Sequence, residues 1–230
     1  MSAISSHLNA DLTFHSIVNN SPHRFTREQI EEYNRQGFIA GITLFEGVEL
    51  EAMQEFFARY KAAVTAASGD GGFQSFHHQT PELYDIVTQP WLVEHLQDLL
   101  GPNVVCFVSQ YVCKEPGDER EVVWHQDASF NPMDARSVVV WLAVDDAFIE
   151  NGCMWFIPGS HLKGLLEFDS RNGHEVEDAE RQGQTHSHRI ESGTGRFLFR
   201  LAAAFVAAQP LTNAPAWRFH DDLRRRRNRH

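Results

Sequence analysis

Apolar residues recur at helical spacing through the first hundred positions and at strand spacing afterwards. Residues 1–24 show no periodicity and read as an extended lead-in. Thr26 with Gln29 makes a capping-box pattern, Ile30 and Tyr33 supply an apolar stripe, and Gly37 is placed to end that first helix. Residues 37–45 then read as a strand. Leu50, Met53, Phe56, Phe57 and Tyr60 recur on one face of a second helix from about 46 to 63. Pro90 opens a third, whose Val93, Leu96, Leu99 and Leu100 point inward before Gly101 and Pro102 stop it. Two or three helices are therefore expected ahead of the main strands.

From Val104 the character changes. Residues 104–113 and 137–144 are β-branched and aromatic-rich runs, and 154–157 is a further short strand. Helices first and strands afterwards, with no βαβ alternation, predict a mainly β domain with flanking helices, an antiparallel double sheet of the jelly-roll or cupin-like kind. A length of 230 residues suits one such domain.

Composition narrows the function classes. The formal net charge of −11 disfavours nucleic acid or an anionic membrane as partner, because both repel an acidic surface. No run of about 18 apolar residues offers a membrane span. The three cysteines, Cys106, Cys113 and Cys153, are odd in number and lack zinc-site spacing; buried free thiols and a reducing, cytoplasmic setting fit them. A small-molecule ligand is expected.

The chemistry concentrates in Trp124-His125-Gln126-Asp127. On an extended chain, residues i and i+2 project from one face, so His125 and Asp127 form a ready pair of ligands. One imidazole and one carboxylate suit ferrous iron, and a second histidine would complete a facial triad with three positions open for oxygen chemistry. Further along come Val140-Trp-Leu-Ala-Val-Asp-Asp-Ala and then Glu150-Asn-Gly-Cys-Met-Trp-Phe-Ile-Pro-Gly-Ser-His161. In this order these motifs resemble the phytanoyl-CoA dioxygenase family over about residues 25–165. The resemblance implies a double-stranded β-helix, Fe(II) held by His125, Asp127 and a distal histidine, and 2-oxoglutarate and O2 as co-substrates. It implies oxidation of 2-oxoglutarate to succinate and CO2 with hydroxylation of a small metabolite or acyl thioester. It also places Gln126 and Trp141 at the 2-oxoglutarate pocket and His161 in a structural turn. His77 and His78 are read as solvated surface histidines.

The resemblance breaks near the C-terminus. The family pattern calls for a distal His about 40 residues beyond the Pro-Gly-Ser-His turn, then Asn-x-Ser and an Arg that clamps the far carboxylate of 2-oxoglutarate. From about residue 195 this chain shows neither that motif nor a closing strand, so the C-terminal strands are expected to be missing or out of frame. Codons for Ala204 onward, read one nucleotide later, permit His-Ser-Ser-Gln-Pro-Asn-Arg-Ser and then Arg-Arg-Gly-Gly-Phe-Thr-Thr-Thr-Tyr-Val. A frameshift shortly before Ala204 would account for the break. If the tail is genuine, His186, His188 or His220 remains to supply the third ligand, or none does. The run from Arg224 to Arg227 could suggest a nucleic-acid patch, a reading the acidic chain disfavours.

Overall fold

The computed structural model describes residues 13–68, 72–74, 76–112, 122–130, 137–171, 175–176, 188–190, 196–201 and 205–208. Helix α1, Arg27–Gln36, starts on Thr26, whose hydroxyl accepts from the Gln29 backbone N–H while the Gln29 side chain accepts from the Thr26 N–H. It ends on Gly37 in the left-handed region at φ +88°, as the sequence predicts. Strand β1, Phe38–Thr43, and helix α2, Gly47–Ser68, follow. After strand β2, Gly72–Gln74, come α3, Pro81–Val87, and α4, Pro90–Leu100. The helices before the main strands thus number four, more than expected, and α2 runs beyond its predicted end at 63. Among the described residues no helix is long and apolar enough to cross a membrane.

The strands beyond α4 are β3 Gln110–Val112, β4 Val122–Gln126, β5 Val138–Leu142, β6 Met154–Phe156, β7 His188–Ile190, β8 Arg196–Leu201 and β9 Phe205–Ala208. They form antiparallel sheets in the orders β1-β8-β5 and β4-β9-β6-β7, with β2-β3 apart. Two expectations are corrected here. Strands do continue beyond residue 195: β8 is the middle strand of the first sheet, and β9 lies between β4 and β6. Their ladders are supplied by distant partners, β1 and β5 for β8, β4 and β6 for β9. Conversely, 103–109 is not a strand although its side chains favour one; pairing starts only at Gln110.

Side-chain alternation places the core. On β5, Val138, Val140 and Leu142 pack under α1 and α4 with Ile30, Tyr33, Leu92 and Leu99, while Trp141 points the other way. Phe38, Ala40 and Trp141 of the first sheet meet Met154 and Phe156 of the second, with Phe38 and Phe156 ring centroids 4.8 Å apart. The two sheets therefore face one another, with helices on the outer side of the first. A bulge at Gly41, φ +77°, lets both Ile39 and Ile42 reach the helix side. Met53, Phe56 and Phe57 of α2 make a second apolar layer, joined by Leu142, Val144 and Tyr111. The lead-in is tied down by buried Asp98 of α4, whose carboxylate accepts the backbone N–H groups of His23, Arg24 and Phe25 at 2.7–2.9 Å.

Candidate metal centre

Strand β4 carries Trp124 and Gln126 on one face and His125 on the other. Trp124 packs outward with Ile157, Val176, Leu166 and Phe168, so His125 points inward. The chain then turns: Asp127 opens a 3-10 turn closed by the Phe130 N–H donating to the Asp127 carbonyl at 3.0 Å. The turn does not separate the two side chains, since His125 Nε2 lies 3.0 Å from Asp127 Oδ1. Their side chains are 13% and 27% exposed, so a small ligand can reach the pair. The ring of Phe130 stands edge-on to the imidazole, centroids 5.6 Å apart.

The imidazole is oriented by a backbone contact that leaves no sequence signature. His125 Nδ1 lies 2.8 Å from the Val123 carbonyl, an acceptor only, so Nδ1 donates there, and with a cation bound Nε2 would offer it a lone pair. Nε2 and a carboxylate oxygen facing each other at this distance have a positive centre between them, a proton donated by Nε2 or a cation held by both. Two donors each about 2.1 Å from one ion and at right angles would stand about 3.0 Å apart, and this pair has that separation. The two residues fit adjacent positions on a small divalent cation. Among the described residues, no third His, Cys, Asp or Glu joins them.

The strand beside the pair is β9, with His125 opposite Val206 and Gln126 opposite Phe205. Its sequence Phe-Val-Ala-Ala contains no ligating side chain. His188 starts β7, on the far side of β6 and three strand positions from β4. At about 4.8 Å per position the two strands are roughly 14 Å apart. His186, His220 and Ala204 lie outside the described residues.

Gln126 is placed differently from the expectation that it borders the co-substrate. It is fully buried on the face opposite His125, its amide nitrogen donating to the Gly164 carbonyl at 2.8 Å and its oxygen accepting from the Leu166 N–H at 2.9 Å. Trp141 does face the space between the sheets, against Phe156. His161, also fully buried, donates from Nε2 to the Asn34 carbonyl at 3.0 Å, and the Gly159 N–H donates to the Gln36 carbonyl at 2.9 Å. The Pro-Gly-Ser-His segment is thus a clasp on the end of α1, away from the inward face of β4. Asn151 shapes the preceding turn, accepting from the Phe148 N–H at 2.6 Å and donating to the Asp146 carbonyl at 2.7 Å. Two minor readings are corrected: His77 is half-buried with Nδ1 2.6 Å from Ser109 Oγ, and Cys106 is exposed, whereas Cys153 is buried. Cys113 lies outside the described residues.

The fold is shared with solved structures that hold Fe or 2-oxoglutarate. The structure of EctD from S. alaskensis with bound Fe superimposes with a TM-score of 0.77 at 19% identity, over 89% of this chain and 77% of that one. EctD with 2-oxoglutarate and 5-hydroxyectoine gives 0.74 at 18% identity over the same shares, and the alpha ketoglutarate dependent carbocyclase SnoK gives 0.68 at 19% over 85% and 83%. The family model for phytanoyl-CoA dioxygenase (PhyH) matches residues 33–209, and the chain belongs to that family. Phytanoyl-CoA dioxygenase domain-containing protein 1 of Bos taurus is 41% identical over 92 residues, 38% of this chain and 31% of that protein. Phytanoyl-CoA dioxygenase of Arabidopsis thaliana is 41% identical over 91 residues, 39% and 32% of the two chains. The matched stretch thus spans about a third of the length of these relatives.

Proposed function

We propose that this protein is an Fe(II)- and 2-oxoglutarate-dependent hydroxylase of a small, largely apolar metabolite or acyl thioester, built on a double-stranded β-helix. The observation that carries the reading is the convergence of His125 Nε2 and Asp127 Oδ1 at 3.0 Å on an inward strand face, with the imidazole oriented by its contact to the Val123 carbonyl. His125 and Asp127 would hold the iron; bound iron would let 2-oxoglutarate and O2 react together and deliver an oxygen atom to the substrate. Trp141 borders the co-substrate from the facing sheet, and Gln126 holds the end of β4 by its two backbone contacts. The acidic residue favours hydroxylation over halogenation, because a retained carboxylate occupies the position a halide would need.

Anaerobic addition of Fe(II) and 2-oxoglutarate tests this: a weak visible charge-transfer band is expected, and succinate after O2 is admitted. A folded protein that gives neither would sink the proposal. That outcome would favour a second reading, a non-catalytic relative. Its support is that β9, the strand beside the pair, carries no residue type that ligates a metal.

A further inference from the structure

The turn that follows β4 presents its residues unequally. Ala128 and Ser129 in its middle are buried, whereas Phe130 at its end is 48% exposed. The middle pair anchors the turn, and the Phe130 N–H closes it by donating to the Asp127 carbonyl. With three residues per turn in 3-10 geometry, side chains at i and i+3 lie one above the other. Phe130 therefore stands on the same side of the turn as Asp127. Its ring also meets the His125 imidazole edge-on, the two planes 79° apart. A large apolar ring is thus left half in solvent beside both candidate ligands.

Phe156 makes the contrast. It lies in the cross-strand row of His125, through Val206, but is fully buried against Phe38, Ala40, Trp141 and Met154. Phe130 still has surface to bury, and a molecule arriving at His125 and Asp127 is placed to bury it. A hydrocarbon segment laid on the ring takes apolar surface of both out of water, which tightens binding by up to about fourfold for each methylene covered. A charged or hydroxyl-bearing group in the same place would give up its water and gain no hydrogen bond from the ring.

We propose that Phe130 is a specificity-determining residue: it receives an apolar hydrocarbon segment of the substrate and holds it beside His125 and Asp127, so that the carbon to be oxidised is flanked by further carbon rather than by a charged group. The proposal rests on the oxygenase reading, since that reading makes the His125 and Asp127 pair the place where the substrate arrives.

The full chain, held anaerobically with Fe(II) and 2-oxoglutarate both saturating, would be titrated by calorimetry with 1-alkanols from butanol to octanol, which carry no carboxylate to compete with 2-oxoglutarate. Affinity is expected to rise about threefold for each added methylene. In Phe130→Ala and Phe130→Asn the increment should fall below about 1.5-fold, leaving octanol bound about tenfold more weakly than by the parent. Phe130→Leu, which keeps an apolar side chain, should retain most of the increment. The backbone bond to Asp127 is available to all three variants, and urea unfolding checks that each is folded. A parental increment in folded Phe130→Ala, a loss in Phe130→Leu as large as in Phe130→Asn, or a parent that binds no alkanol would each overturn the proposal. Failure of the oxygenase reading is seen separately, as absence of the charge-transfer band in the parent before any alkanol is added.

Discussion

His125 and His161 sit in the two motifs that give this chain its family character, and their surroundings assign them opposite roles. His161 has no exposed surface, a single hydrogen bond to the Asn34 carbonyl, and a buried Nδ1 without a hydrogen-bond partner. Burial holds its pKa below the ordinary histidine value of 6.5, against the smaller opposing effect of the bond to Asn34. His125 is partly open to solvent and has both nitrogens engaged, one with a backbone carbonyl and one with a carboxylate. A buried neutral ring is a packing element, whereas a ring oriented by its backbone with its other nitrogen turned to a carboxylate is placed to be a ligand. Residue type alone does not separate them; the groups around each nitrogen do.

The largest expected difference is in metal binding. His125→Ala or Asp127→Ala should weaken Fe(II) affinity by more than about a hundredfold, since even residues that only support ligands cost 10–100-fold, and should leave the unfolding midpoint nearly unchanged. His161→Ala should do the reverse, costing about 2–4 kcal/mol through the vacated volume and the Asn34 carbonyl left without its donor. Isothermal titration with Fe(II) under anaerobic conditions, paired with urea unfolding, checks both. Unchanged iron affinity in the Asp127 variant would remove Asp127 from the site.

Next in size is Gly37→Ala. Gly37 has φ +88°, and a Cβ there would stand 2.6 Å from His161 Nδ1. Left-handed backbone costs about 1–2 kcal/mol for a residue with a Cβ, and the clash adds to that. Because the clash is with His161 itself, the effects of Gly37→Ala and His161→Ala should fall short of additivity by about 1 kcal/mol. Strict additivity in a double-mutant cycle would show that the clasp is not organised around this contact.

A smaller loss, about 1–3 kcal/mol, is expected for Gln126→Leu, which leaves the Gly164 carbonyl and the Leu166 N–H without their partner. This variant distinguishes a strut from a pocket wall. Unaltered 2-oxoglutarate affinity with lowered stability supports the strut; weakened 2-oxoglutarate binding at full stability would restore the pocket role.

The smallest effect is in pH dependence. His161 titrates near 6.5 when unfolded and lower when folded, so below about pH 6.5 the unfolded chain binds the extra proton first and stability falls. Above that value the contribution is fully present. His95, also lowered chiefly by burial, acts in the same direction. Urea midpoints between pH 7.5 and 5 should slope less in His161→Gln than in the parent chain. Identical slopes would show that His161 does not titrate out of the fold.

Much of this could be read from the chain itself, and the exceptions share a cause. Thr26, Gln29 and Gly37 mark the ends of α1 because caps are decided by residues three or four positions apart. His125 and Asp127 are adjacent enough that even the unforeseen turn at Asp127 keeps them together. The fate of Gln126, one position away, depended on Gly164 and Leu166, about forty residues downstream, and nothing local announces such partners.

The sequence by itself determined α1 with its caps and the start and stop of α4, the His-x-Asp pair, and the membership that its motif order announced. Tertiary structure alone decided that His161 clasps α1, that 196–201 and 205–208 are inner strands, and that 103–109, strand-like in composition, is not a strand. Caps and ligand pairs are settled by neighbours along the chain. Strand pairing is settled by which distant segment arrives at an edge, as β8 does between β1 and β5.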